Sequence, residues 1–163
     1  MSFDNVNQES QELIAPEPLK ESFGVLIKPA SGDCNLACDY CFYRRPSSMY
    51  PSAVPKRMSR ETLSALVKQN LDMNFPDASF SWQGGEPMLM GLDFYKTAVE
   101  LMVQHGRKGH NIGNAIQTNG VLINDEWADF FNKYSFLLGV ILDGPRWLHE
   151  EHRGKTFSQV ISG

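Results

Sequence analysis

Phe23-Gly24-Val25-Leu26-Ile27-Lys28-Pro29, followed closely by Cys34-Asn35-Leu36-Ala37-Cys38-Asp39-Tyr40-Cys41, is the stretch that decides the fold. A short apolar run stopped by proline reads as a strand. The cysteines therefore lie on the loop that leaves its carboxyl end. They are also the only 3 cysteines in the 163 residues. An odd number bunched on one loop is a poor disulfide framework and a good thiolate cluster for a metal.

Outward from this loop the chain alternates. A Pro-rich, basic segment, Arg44 to Arg57, follows. Ser59-Arg60-Glu61 opens a helix with a hydroxyl cap and an early acid, and Leu63, Leu66, Val67 and Leu71 recur at helical spacing. Ala78 to Trp82 reads as a second strand, ended by Gly84-Gly85. Leu92 to Gln104 is a second helix with Phe94, Tyr95, Ala98, Leu101 and Met102 facing inward. Ile112 to Thr118 is a third strand, ended by Asn119-Gly120. Asn124 caps a third helix, Asp125 to Tyr134. Phe136 to Leu142 is a fourth strand, nearly all apolar, ended by Asp143-Gly144-Pro145.

This is a (βα) series. Continuously apolar strands joined by helices imply an α/β fold with a parallel sheet covered on at least one face. In such sheets ligands sit beyond the carboxyl ends of the strands. The cysteine loop, Gly-Gly-Glu-Pro, Thr-Asn-Gly and Asp-Gly-Pro all fall there, so four loops are expected to converge on one edge. The aromatics Phe94, Tyr95, Phe130 and Phe131 sit at helical positions and read as core.

Cys34, Cys38 and Cys41 are spaced by four and three. Three thiolates on one short loop can hold three corners of a cubane iron–sulfur cluster. A structural zinc site usually wants four closed protein ligands, and a fourth cysteine is missing. The 4 histidines lie far along the chain. His149 and His152, three apart, read as surface residues rather than a metal pair. Three ligands leave one metal position open for a substrate or cofactor. A structural zinc site remains the alternative.

Cys-x3-Cys-x2-Cys with Tyr40 before the last cysteine resembles the signature of the radical S-adenosylmethionine superfamily. Lys28-Pro29-Ala30-Ser31 and Phe42-Tyr43 narrow the likeness to the anaerobic sulfatase-maturating enzymes, a branch with a C-terminal SPASM domain. Trp82-Gln83-Gly84-Gly85-Glu86-Pro87, Gln117-Thr118-Asn119-Gly120 and Ile141-Leu142-Asp143-Gly144-Pro145 resemble further motifs of that branch. His149-Glu150-Glu151-His152-Arg153 resembles its His-Asp-x-x-Arg.

The resemblance implies a [4Fe–4S] cluster on Cys34, Cys38 and Cys41, whose open iron chelates S-adenosylmethionine. It implies cofactor contacts at Tyr40 (adenine side), Gln83, Gly84, Gly85, Glu86 (ammonium group), Ile141, Asp143 and Arg153 (carboxylate or ribose). Gln117 and Asn119 would contact substrate or cofactor. Ile141 departs from the branch, which usually has serine there, so one hydroxyl contact is lost or falls to the backbone.

The implied reaction generates a 5'-deoxyadenosyl radical that oxidises a cysteine or serine of a sulfatase to formylglycine. An external electron donor such as flavodoxin or ferredoxin would supply the electron. The alternatives are another SPASM-type peptide-modifying enzyme and an inactive iron–sulfur-binding remnant. The general base proposed for relatives would lie beyond the residues present.

Residues 1–21, polar and acidic with Pro16 and Pro18, read as a flexible extension. Residues 22–163 read as the N-terminal portion of a radical SAM core, a partial parallel (β/α) barrel with about four of six units, truncated before the remaining units and the SPASM domain. Fifteen basic against 19 acidic side chains give a net charge of -4, which is no footprint for nucleic acid. No apolar run suits a membrane span and no signal peptide is evident, so a cytoplasmic protein is expected.

Overall fold

The computed structural model describes residues 22–43 and 56–163. The expected extension and most of the Pro-rich segment lie outside the described residues. Four strands, β1 (Gly24–Ile27), β2 (Asp77–Trp82), β3 (Asn111–Thr118) and β4 (Leu137–Val140), form one sheet in that order. All three pairings are parallel. Helices α1 (Arg60–Asp72), α2 (Leu92–His105) and α3 (Asp125–Lys133) follow the first three strands. Two short helices, α4 (Arg146–Arg153) and α5 (Phe157–Ser162), follow β4.

Local chemistry explains the helix starts. Ser59 accepts a hydrogen bond from the Thr62 N–H, and Asn124 accepts one from Trp127, each satisfying a donor that the first turn would otherwise orphan. Both caps are the residues expected. The α2 core positions are Tyr95, Ala98, Val99 and Met102, with Phe94 and Leu101 packed at its margin.

The strands correct one expectation. β2 is not continuously apolar in its burial but alternates: Ala78, Phe80 and Trp82 are buried, while Asp77 and Ser79 are exposed. The buried set faces the helices and packs with Leu63, Val67, Tyr95 and Ile116. The register places Ser81 beside Ala115, and Ala115 beside Leu137. That second face carries the small or polar Ser79, Ser81, Gly113, Ala115, Gln117 and Gly139, together with the exposed Leu26 and Leu137. β4 is apolar in sequence yet open: Leu137 is 74% exposed.

Candidate active site at the carboxyl edge of the sheet

The four loops do meet at one edge. The Gly-Gly-Glu-Pro turn docks backbone to backbone on the loop between β1 and the cysteines. Gly85 N–H donates to Ser31 O at 2.8 Å, and Glu86 N–H to Asp33 O at 2.7 Å. A Cβ at Gly85 would stand 2.0 Å from Asp33 O, and one at Gly84 2.8 Å from Ser31 O. Gly84 also holds φ +129°, a region that other residues rarely adopt. The two glycines let the neighbouring loop approach this closely.

Glu86 is bonded within the fold. It is fully buried. Oε1 accepts from Met88 N–H and from the Thr118 hydroxyl, each at 2.9 Å. Oε2 accepts from Asn119 N–H at 2.8 Å. Burial pushes its carboxyl above the ordinary 4.5, against the pull of those three donors. The carboxylate thus ties the end of β3 to the turn after β2.

Asp143 and Arg153 pair with each other. Arg153 Nε donates to Asp143 Oδ2 at 2.5 Å and Nη2 to Oδ1 at 3.3 Å. The Tyr40 hydroxyl donates to the same Oδ2 at 2.5 Å, and the Arg153 guanidinium lies 5.4 Å from the Tyr40 ring centroid. Burial, with the Asp143 hydrogen bond, pushes the Tyr40 phenol up to about 12. Arg153 Nη1 also reaches Cys38 Sγ at 3.8 Å. Arg153 therefore faces the cysteine loop and an internal carboxylate.

The flanking histidines sort differently from expectation. His149 is not at the surface but fully buried. Its Nδ1 accepts from Asp143 N–H at 3.5 Å, which leaves Nε2–H to donate to Thr156 Oγ1 at 2.9 Å. His152 is partly exposed and pairs with Asp39 at 2.9 Å. Asp39 N–H in turn donates to His152 O, so α4 is pinned to the cysteine loop from both backbone and side chain.

Of the remaining expected residues, Gln117 lies on the sheet's second face against Gly139, whose hypothetical Cβ would strike its Oε1 at 2.4 Å. Gln83 N–H donates to Ile27 O at 2.8 Å. Ile141 N–H donates to Thr118 O at 3.1 Å, so its backbone donor is also spent on the sheet. Thr118 was missed by sequence reasoning. A threonine at the end of a strand is ordinary there, and only the fold reveals it as a partner of Glu86.

The three cysteines lie on one loop and form no disulfide, with Cys38 buried and the others partly so. Among the described residues, no three His, Cys, Asp or Glu side chains already converge as a metal-holding group. The donor chemistry fits a thiolate-bound cluster all the same. Cys34 and Cys38, and Cys38 and Cys41, are near enough for their charges to interact. Cys34 Sγ accepts from Leu36 N–H at 3.4 Å and from Asn119 Nδ2 at 3.7 Å, while Arg153 faces Cys38. Donors and a cation aimed at sulfur stabilise thiolates. Burial meanwhile pushes the Cys34 and Cys38 thiols up, so a metal must displace their protons to bind.

A parallel sheet with three cysteines on the first loop and a glycine turn locked to that loop defines the class. The Radical SAM superfamily sequence model matches residues 29–163, and the chain belongs to that superfamily. Its four-stranded sheet is a partial radical SAM β/α barrel. Among similar proteins, the serine-type anaerobic sulfatase-maturating enzyme of Bacteroides thetaiotaomicron is 39% identical over 152 residues, covering 90% of this chain and 36% of that protein. The cysteine-type enzyme of Clostridium perfringens is 42% identical over 141 residues, covering 83% and 38%.

A solved structure described as native anSMEcpe with bound AdoMet matches with a TM-score of 0.78 at 42% identity, covering 85% of this chain and 39% of that one. Another, with bound AdoMet and Cp18Cys peptide, matches with a TM-score of 0.77 at 41% identity, covering 85% and 38%. The chain thus spans well under half the length of these relatives. Among the described residues no helix is long and apolar enough to cross a membrane.

Proposed function

We propose that residues 22–163 form the N-terminal portion of a radical SAM core that holds a [4Fe–4S] cluster on Cys34, Cys38 and Cys41 and binds S-adenosylmethionine beside it. When bound, the two groups together supply reductive cleavage of the sulfonium and a 5'-deoxyadenosyl radical. The reaction served is oxidation of a cysteine or serine of a sulfatase to formylglycine, with the electron drawn from a flavodoxin or ferredoxin. The observation that carries this reading is the interlocked pair of loops, cysteine loop on glycine turn, at the carboxyl edge of a parallel sheet. Likeness to the sulfatase maturases, one solved with AdoMet and peptide, supports the choice of substrate class. The cytoplasm, where thiols stay reduced, suits three cysteines outside any disulfide.

The chain's own residues have distinct parts in this. Glu86 fixes the turn, so contacts from that motif to the cofactor fall to its backbone. Tyr40 is 55% exposed, and its ring offers an aromatic face beside Cys38. Asp143 and Arg153 brace that ring and the buried thiol. Gln117, on the sheet's second face, is placed for substrate or cofactor.

The test is anaerobic reconstitution with iron and sulfide, then addition of S-adenosylmethionine and a reductant. The expected result is a brown protein that releases 5'-deoxyadenosine, with release lost in the Cys38→Ala variant. A chain fully loaded with cluster yet yielding no 5'-deoxyadenosine would overturn the proposal for this polypeptide.

A further inference from the structure

Asn119 immediately follows β3 and is only 6% exposed. Its side chain is committed within the fold. Oδ1 accepts from Val121 N–H at 3.0 Å, and Nδ2 donates to Asn35 Oδ1 at 2.8 Å. The same Nδ2 reaches Cys34 Sγ at 3.7 Å. Its backbone N–H is gripped by Glu86 Oε2 at 2.8 Å, and Glu86 also holds Thr118, the residue before it. A side chain so occupied has no donor left for a substrate.

We infer that Asn119 is a positioning residue for the first cluster ligand: its amide fixes Cys34 Sγ in place and donates an N–H···S hydrogen bond to it, with Glu86 holding the amide on target. This rests on the cluster reading above. An N–H aimed at a ligand sulfur stabilises negative charge there. The reduced cluster carries more of that charge, so the bond favours reduction. Hydrogen bonds to the sulfurs are among the levers by which a protein sets cluster potential.

The experiment uses the whole chain in two states. In the reconstituted protein, the fraction of cluster reduced at a fixed dithionite concentration is read by electron paramagnetic resonance. Asn119→Leu, which removes the donor, should lower that fraction several-fold. Asn119→Asp, which keeps the Val121 contact but adds negative charge, should lower it further. In the metal-free, nitrogen-15-labelled protein, Cys34→Ser should shift the Asn119 side-chain amide resonance, and Cys41→Ser should leave it nearly still.

Variants that load and reduce their cluster as the unsubstituted protein does would overturn the inference. So would variants that load less cluster but reduce it equally well, since a mere prop for the loop would do that. An Asn119 resonance indifferent to Cys34→Ser has the same force, and it applies even if the Asn119 variants fail to fold. If the unsubstituted chain takes up no cluster at all, the proposed function fails, while the resonance alone still decides the Asn119–Cys34 contact.

Discussion

Glu86 shows how many of a side chain's partners the linear sequence leaves hidden. A carboxylate in a glycine turn invites a ligand cation, and nothing in the linear sequence says otherwise. The fold supplies three donors, two of them from β3 and its end, and buries the group completely. A glutamine cannot replace it. With its oxygen on Met88 and Thr118, its amide would face Asn119 N–H, donor against donor. Glu86→Gln should therefore cost about 1–3 kcal/mol in urea unfolding, the range for an unsatisfied buried polar group. An unchanged midpoint would show that the three bonds contribute little. Arg153 illustrates the same limit. The sequence marks a guanidinium near the site, but a pairing with Asp143, ten positions upstream, appears only when α4 folds back.

At the scale of elements, the strands and helices were largely readable because each carries its own punctuation. Ser59 and Asn124 start their helices where a capping oxygen should stand. What could not be read was which face each strand turns to the helices, since β2 mixes serine with aromatics and only pairing with β3 assigns them. Nor could the docking of α4 be read. It depends on contacts with residues more than a hundred positions away, Asp39, Tyr40 and Cys38.

That docking has a pH signature. Burial works against the charged form of Asp143, but the Arg153 and Tyr40 hydrogen bonds prevail and hold its carboxyl below the ordinary 3.8. A carboxyl lowered on folding stabilises the fold above its unfolded value and loses that contribution as pH falls through the folded one. Asp143→Asn should cost stability at neutral pH, about 1–3 kcal/mol with Arg153 left half-paired. The deficit should shrink as pH drops below 3.8. Denaturation midpoints across that range check it, and a deficit constant with pH would show that the ion pair is not its source.

Across the whole molecule, apolar surface is unevenly distributed. The helix side of β1 to β3 is packed, whereas Leu137, Leu138, Val140 and Leu142 are all exposed to a third or more along β4. Beside them lies a groove of about 430 Å³ lined by Phe131, Phe136 and Val160. The sequence announces a nearly all-apolar strand there, and a parallel sheet normally covers such a strand. An uncovered apolar edge favours association between chains. Light scattering should thus rise with protein concentration, and Leu137→Lys, at 74% exposure, should reduce it without lowering the thermal midpoint. Scattering that is equal in both proteins would locate the sticky surface elsewhere.

The joint between the glycine turn and the cysteine loop sets what kinds of sequence change the site can absorb. Its bonds run from main chain to main chain, through the carbonyls of Ser31 and Asp33. Side chains at those two positions do not make these bonds, although Asp33 also holds Arg57 at 2.6 Å and Ser31 sits at φ +55°. Spacing is stricter: one residue inserted or deleted between Lys28 and Cys34 would put every carbonyl out of step with the turn. The joint itself fixes the segment's length rather than its lettering, and an altered version of either loop can be grafted elsewhere only together with its mate.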